Sequence, residues 1–327
     1  MIVCKFGGSS TVNLTALANI KKISKNKNRK ILVFSAFGKP FFDDKKLTDI
    51  LFEKNIEKTK IYLNYLCKLT KIKININMLI DSIYKTFSKN NSIEYLVSRG
   101  EYLTCLIMSK YLNIKFIPAE KIIFFDKLNL NYKKINNKIK YYLKKYHQIV
   151  VPGFYGINEQ GDIKLLSRGG GDVTGAVLAK CTKANVYENY TDTSGIKMVN
   201  PSIIKNAKTI QKISYTDAMV MTNCDAKVLH QDVCNILENT NTKTIVKNIY
   251  KPNSLSTSID NHKHSCQFVC FKQVCDYVQI VAKTNSVDCL KKFYDQINYL
   301  SFNYVYFCSS GDSYQKLIKG IYKAIEK

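Results

Sequence analysis

Residues 166–180 read LSRGGGDVTGAVLAK: three consecutive glycines stand behind an arginine and ahead of an aspartate, and they open a stretch with helical character. The chain holds only 14 glycines in 327 residues, yet seven of them fall between Gly153 and Gly175. Glycine lets backbone N–H groups approach a ligand with no Cβ in the way. A helix N-terminus adds partial positive charge, so a glycine turn opening a helix is a natural phosphate cradle. A second such turn, CKFGGSS at residues 4–10, ends the first strand-like segment. Neither turn matches the Walker A loop or the G-x-G-x-x-G dinucleotide fingerprint. Either alone also suits a plain tight connection; it is the pair that points to phosphate chemistry.

Outward from these turns the chain alternates strands and helices. Residues 1–6 and 30–36 (KILVFSA) read as short buried strands around a helix at residues 14–23, a β-α-β opening. A long polar helical region of insert-like character spans residues 45–89, and IEYLVSRGEYLTCLIMSKYL carries apolar residues at helical spacing over its whole length. NIKFIPA, HQIVVPGFYG, IKLLS, NVYENYTD and TKTIVKNI read as strands, and SYTDAMVMTNCDAKVLHQDVCNIL as helical. This alternation predicts an α/β sandwich over residues 1–250. The polar stretch KPNSLSTSIDNHKHS reads as a linker over 251–265, and a small α+β module of β-α-β-α order is expected over 266–327.

Composition narrows the class. No run reaches the roughly 18 apolar residues of a membrane span, and MIVCKFGGSS has no basic region followed by an apolar one, so a cytoplasmic chain without membrane attachment is expected. Eleven cysteines without a C-x-x-C pair suit reduced core thiols, and no metal site is expected. The net charge of +25 would ordinarily suggest nucleic acid, but the lysines are spread over the whole length without an aromatic-and-basic binding motif. No nucleic-acid partner is expected, although anionic substrates would be drawn in.

Individual residues remain open on this reading. Lys5 suits an exposed edge lysine or a phosphate-neutralising cation; Asp172 suits a helix N-cap. Arg168 has the guanidinium suited to a carboxylate, and Glu101 is a solvated charge or a buried acid waiting for an ammonium group.

In order along the chain stand KFGGSS at 5, FSAFG at 34, SRGE at 98, GFYGINEQG at 153, SRGGGD at 167, TDTSG at 191, NP at 200 and DAKVLH at 225. Together they resemble aspartate kinases of the amino acid kinase family. The resemblance implies a three-layer sandwich with a mainly parallel central sheet and an ACT-like C-terminal module. It also implies transfer of phosphate from ATP, with Mg²⁺, to L-aspartate, the first step toward lysine, threonine and methionine, and a homodimer is expected. By the same resemblance Lys5 with Gly7, Gly8 and Ser9 would contact the ATP phosphates, and Gly169, Gly170 and Asp172 would face the transfer site. Lys5 and Asp172 would be catalytic. Arg168, Glu101 and Thr48 would hold aspartate, while Thr191, Asp192, Lys197 and Lys227 would meet the nucleotide. The chain departs from the pattern at Gly171 (serine in the family), Lys197 (tyrosine), Asn200 and Ser202 (the ends of DPR) and Asp225 (glycine). Kinases acting on glutamate or its acetylated form share the phosphate turns, and a homologue that only binds is the alternative from another class.

Overall fold

The computed structural model describes every residue except 128, 167–168, 225–228, 302–303, 311–312 and 327. In chain order the first 192 residues form β1 (Ile2–Phe6), α1 (Leu14–Ser24), β2 (Arg29–Phe34), α2 (Leu47–Phe52), α3 (Ile56–Thr70), α4 (Ile76–Asn90) and α5 (Ile93–Leu112). They continue with β3 (Lys115–Phe116), β4 (Phe125–Asp126), β5 (Asn129–Leu130), α6 (Tyr132–Lys145), β6 (Ile149–Pro152), β7 (Tyr155–Ile157), β8 (Ile163–Leu165), α7 (Gly170–Thr182) and β9 (Val186–Thr191). Next come β10 (Ile196–Lys197), β11 (Thr209–Ile210), β12 (Lys212–Ser214), α8 (Tyr215–Asn223), α9 (Gln231–Leu237) and β13 (Lys243–Asn248). The chain closes with β14 (Thr257–Asp260), β15 (Phe268–Val274), β16 (Tyr277–Lys283), β17 (Ile297–Leu300), β18 (Val305–Ser310) and α10 (Ser313–Ile325). Residues 1–192 with 240–252 make one compact unit, and residues 193–239 with 253–327 make another.

The first unit is built on strands that read as near-continuous apolar runs because both of their faces are covered. Its sheet runs β13-β9-β1-β2-β6-β3, parallel throughout. On one face Phe6, Phe34, Val150 and Tyr190 pack against Ala16, Leu17 and Ile20 of α1 and Cys105 and Met108 of α5. On the other lies α7, with α6 beside it. This is the expected three-layer sandwich.

One charged residue sits inside the sheet, the cost of its burial offset by the donors that meet both of its oxygens. Glu188 of β9, 4% exposed, accepts from Arg29 Nε and Nη2 at 2.7 and 3.1 Å, Tyr190 OH at 3.1 Å, Lys247 Nζ at 3.4 Å and Cys4 Sγ at 3.3 Å.

Residues 45–89, expected as a polar helical region of insert-like character, do form helices, α2, α3 and α4, and these enclose a buried apolar core. Ile50, Leu51, Tyr62, Leu63, Leu66, Ile76 and Ile80 are buried against Leu96, Leu103 and Ile107 of α5. Frequent lysine and asparagine on the outer faces mask this narrow apolar stripe in the sequence.

In the second unit β12 pairs parallel with β14. The stretch 251–265, read as a linker, thus carries a strand whose Thr257 and Ile259 are buried in alternation, a period-2 signal too short to stand out among polar neighbours. Residues 266–327 depart from the expected β-α-β-α order as well. They form the antiparallel sheet β15-β16-β18-β17, and SVDCLKKFYDQIN becomes a 3₁₀ segment (Val287–Gln296) rather than an α-helix. α10 packs on this sheet.

One backbone crossing sets how closely two loops of the first unit approach. Gly38 N–H donates to Gly8 O at 3.1 Å, and a Cβ on Gly38 would lie 2.5 Å from Gly8 C and O. Gly38→Ala is therefore expected to destabilise the protein by about 1–3 kcal/mol through forced backbone shifts, read as a lower urea midpoint. An unchanged midpoint would contradict this crossing.

Candidate functional site

In an open parallel sheet, ligands bind beyond the carboxyl ends of the strands, where consecutive connections leave toward opposite faces. Here the loop after β1 leads to α1 on one face, and the loops after β6 lead to α7 on the other. Both glycine turns therefore lie at the same carboxyl edge of the sheet, where Gly171 approaches Ser35 and Lys5. Gly7 N–H donates to Tyr190 O at 3.1 Å, fixing the first turn, residues 7–11, against the end of β9. Tyr250 OH donates to Ser9 O at 2.7 Å. Thr191 and Asp192 follow at the same end of β9, where Thr191 Oγ1 donates to Asp192 Oδ1 at 3.2 Å and Ile249 N–H to Thr191 O at 2.8 Å.

The second turn answers the opening stretch. Gly169 adopts φ +87° as the N-cap of α7, and a Cβ on Gly170 would lie 2.7 Å from the Phe154 ring and 2.9 Å from its Cα. Phe154 itself has φ +78°, a conformation that costs a residue with a side chain and is held only by its surroundings. Its N–H donates to Thr174 Oγ1 at 3.0 Å, and its carbonyl accepts from Leu166 N–H at 2.7 Å.

At the meeting point Lys5 Nζ lies 2.6 Å from Asp172 Oδ1, with both side chains mostly buried. Alternation along the strands explains the pairing. Cys4 and Phe6 face α1, so Lys5 faces α7, and in β9 Tyr187 and Asn189 face the same way. Tyr187 OH donates to Asp172 O at 3.1 Å and Asn189 Nδ2 to Asp172 Oδ1 at 3.2 Å. Asn189 is absent from the residues that the sequence singles out, although its two-residue offset from Thr191 puts it on the site face.

Glu101 is buried in α5. Burial raises its carboxyl from the ordinary 4.5 to about 8, opposed by the N–H groups of Ala36 and of Glu101 itself and by the charges of Arg99 and Lys5. Its Oε2 has no hydrogen-bond partner among the described residues. Thr48 is half-buried on α2, whose Leu47 and Leu51 approach Gly100 beside Glu101.

Gly171 departs from the serine that the resemblance leads one to expect, and the structure gives a reason. A Cβ there would lie 2.5 Å from Ser35 Oγ and 3.3 Å from Lys5 Cε, so Ser35 occupies that space. Arg168 and Lys227 lie outside the described residues. Lys197 belongs to the second unit, on β10, where its Nζ donates to Thr209 Oγ1 at 2.7 Å. Among the described residues no three histidine, cysteine or carboxylate side chains converge on a metal position, and no helix is long and apolar enough to cross a membrane.

Residues 1–248 match the profile of the amino acid kinase family. The chain belongs to the amino acid kinase family. Aspartokinase 3 of Bacillus subtilis is 26% identical to this amino acid kinase over 292 residues, which cover 79% of this chain and 63% of that one. The aspartokinase of Rickettsia prowazekii is 27% identical over 270 residues, covering 79% and 54%. This chain thus spans roughly half to two thirds of the length of those curated relatives. The solved aspartate kinase of Clostridium acetobutylicum superposes with a TM-score of 0.88 at 25% identity, over 99% of this chain and 100% of that chain. Escherichia coli aspartokinase III, solved with aspartate and ADP, shares the fold at TM-score 0.72 and 18% identity, over 95% of this chain and 79% of that one.

The burial of Glu101 has a consequence for stability. Its folded pKa of about 8 lies above the unfolded value of 4.5, so between those pH values the unfolded chain ionises while the folded one stays protonated. Stability from this group is therefore full below about pH 4.5 and is lost as pH rises toward 8. Glu101→Gln should flatten that decline and raise the urea midpoint at pH 8. Parallel pH profiles for wild type and variant would contradict the assignment.

Proposed function

We propose that this amino acid kinase transfers the γ-phosphoryl group of MgATP to the β-carboxylate of L-aspartate, giving ADP and 4-phospho-L-aspartate. The observation that carries the reading is the buried Glu101 carboxylate, whose Oε2 lacks a partner among the described residues, in a unit whose crevice also holds the Lys5–Asp172 pair. A buried acid with a free oxygen favours a cationic ligand, which an amino acid's ammonium group supplies. The glycine turn at residues 7–11 with Lys5 suits a polyphosphate: it offers exposed N–H groups and a cation. Mg²⁺ would arrive with ATP as part of the substrate, held by phosphate oxygens. The relatives' activity supports aspartate as the acceptor.

In the reaction a β-carboxylate oxygen of aspartate attacks the γ-phosphorus. The new O–P bond forms as the bond from the γ-phosphorus to the β,γ-bridging oxygen breaks, and its electron pair leaves on ADP. No covalent enzyme intermediate is needed, so the protein contributes alignment and charge neutralisation. Lys5 would neutralise the moving phosphoryl. Asp172, held by Asn189 and the Tyr187 hydroxyl, would fix the Lys5 ammonium in place. Glu101 would hold the substrate ammonium, Thr48 and Arg168 the rest of aspartate, and Thr191 and Asp192 the nucleotide. We further propose that residues 266–327 form one ACT-like module, that the chain is a homodimer and that it works in the cytoplasm. Light scattering during size exclusion would report a monomer if the dimer is wrong.

ADP release with MgATP and L-aspartate, with the acyl phosphate trapped as a hydroxamate and L-glutamate as control, tests the activity. Aspartate-dependent hydroxamate is expected. Glutamate-dependent product would move the reading to another amino acid kinase, and no product from a folded protein that binds ATP would leave a binding-only homologue. Lys5→Ala and Asp172→Ala should each lower kcat by roughly a hundredfold or more.

The acceptor's pH dependence follows from Glu101. Burial pushes its carboxyl up to about 8 in the unliganded protein, so at lower pH an incoming ammonium must displace that proton, and KM for aspartate should fall as pH rises from 6 toward 8. Glu101→Gln should abolish this dependence, and a flat wild-type profile would count against Glu101 as the ammonium site.

A further inference from the structure

The Arg99 side chain has no part in the proposed transfer, yet it is 6% exposed and held by three rings, a carboxylate and a hydroxyl. Arg99 lies one turn after Tyr95 and one turn before Tyr102 on α5, and its guanidinium centre stands 4.8 Å from both ring centroids. A third ring, Tyr155 of β7, lies 5.0 Å away. Nη2 donates to Glu120 Oε1 at 2.8 Å, and Nε and Nη2 reach Ser98 Oγ at 3.1 and 2.9 Å. Tyr155 OH donates to the other oxygen of Glu120 at 3.0 Å. The guanidinium, one carboxylate and one phenol thus form a closed ring that joins α5 to β7.

Both ends of that ring adjoin the site. On α5, Arg99 is followed by Gly100, which lies against Ala36, and then by Glu101. On β7, Tyr155 follows Phe154, the residue in the left-handed conformation that lies against Gly170. We propose that Arg99 is a positioning residue that fixes the Glu101 wall of the acceptor site against the Phe154–Gly170 wall. This rests on the functional reading for its kinetic consequence, but not for its structural one. A flexible lysine could keep the charge, yet its point-like ammonium cannot lie flat among three rings or hold Glu120 and Ser98 in one plane.

The test is Arg99→Lys, with Glu120→Gln as a milder break of the same ring. In both variants KM for aspartate should rise, by tenfold or more in Arg99→Lys, while kcat and KM for ATP stay within about threefold of wild type. A loss that falls on ATP or kcat alone, or unchanged kinetics in a folded variant, would overturn the assignment. Amide hydrogen exchange of the unliganded protein supplies an arm that needs no substrate. Segments 99–103 and 153–156 should exchange faster together in either variant, and unchanged exchange in both segments would also overturn it. Should the wild-type chain release no ADP with aspartate, the functional reading falls and the exchange arm still decides the positioning role.

Discussion

The ion pair between Lys5 and Asp172 joins the central strand to the helix opened by the three glycines, and most other features of the site follow from the distance it requires. Nζ and Oδ1 at 2.6 Å bring the first turn of α7 close to the strand ends, so the intervening backbone must carry little bulk. Gly153 meets Gly171 there, and a Cβ on Gly153 would fall 2.7 Å from the Gly171 Cα. A partly buried pair of this kind loses hydration and recovers it only if the remaining lone pairs are satisfied. Asn189 adds a second donor to the Asp172 Oδ1 that Lys5 meets, while the ammonium of Lys5 has three donors for that one carboxylate among the described residues. An anion entering the crevice would complete the shell of Lys5, which is why the pair is better understood as a poised site than as a fastener.

Glu101 shows the opposite arrangement in the same unit. Glu188 and Glu101 are equally buried, but Glu188 is saturated by Arg29, Lys247, Tyr190 and Cys4, whereas Glu101 keeps a free oxygen among the described residues. The saturated acid is held below the ordinary carboxylate range despite its burial, because the Arg29 guanidinium and the Lys247 charge outweigh it. The unsaturated one is pushed up. Two equally buried carboxylates in one unit thus come to opposite pKa shifts through their partners.

How much of this was legible in the sequence depended on the range of the signal. Glycine clustering located both turns, because it is a local pattern with a steric cause, whereas the residues alone left Lys5 open between an edge lysine and a phosphate partner, and the family resemblance singled it out. The 20 residues read as the long helix are those of α5. The Arg99 ring was invisible: Tyr95, Arg99 and Tyr102 share a helix face, but Glu120 and Tyr155 come from other segments, and only the fold brings them together. The strand inside the presumed linker and the edge strand β17 were missed for another reason. In β14 the buried alternation is only two residues long among polar neighbours, and in β17 the residues are mostly exposed.

The second unit bears on what its C-terminal sheet can do. Asp217, at the start of α8, accepts from Lys283 of β16 at 2.5 Å, from Tyr304 at 2.9 Å and from Ser214 at 2.7 Å. Burial alone would raise its pKa, yet these donors hold it below the ordinary range. Val269 N–H donates to Met198 O at 2.8 Å, and Lys208 N–H to Tyr322 OH at 3.1 Å. Residues 193–239, which lie inside the family match, are therefore bonded to residues 266–327 at several points, one of them a buried charge whose loss would leave Lys283 unpaired. Residues 266–327 are thus no independent bead on a linker: their sheet is bonded to α8, which in sequence ends just before residues 225–228.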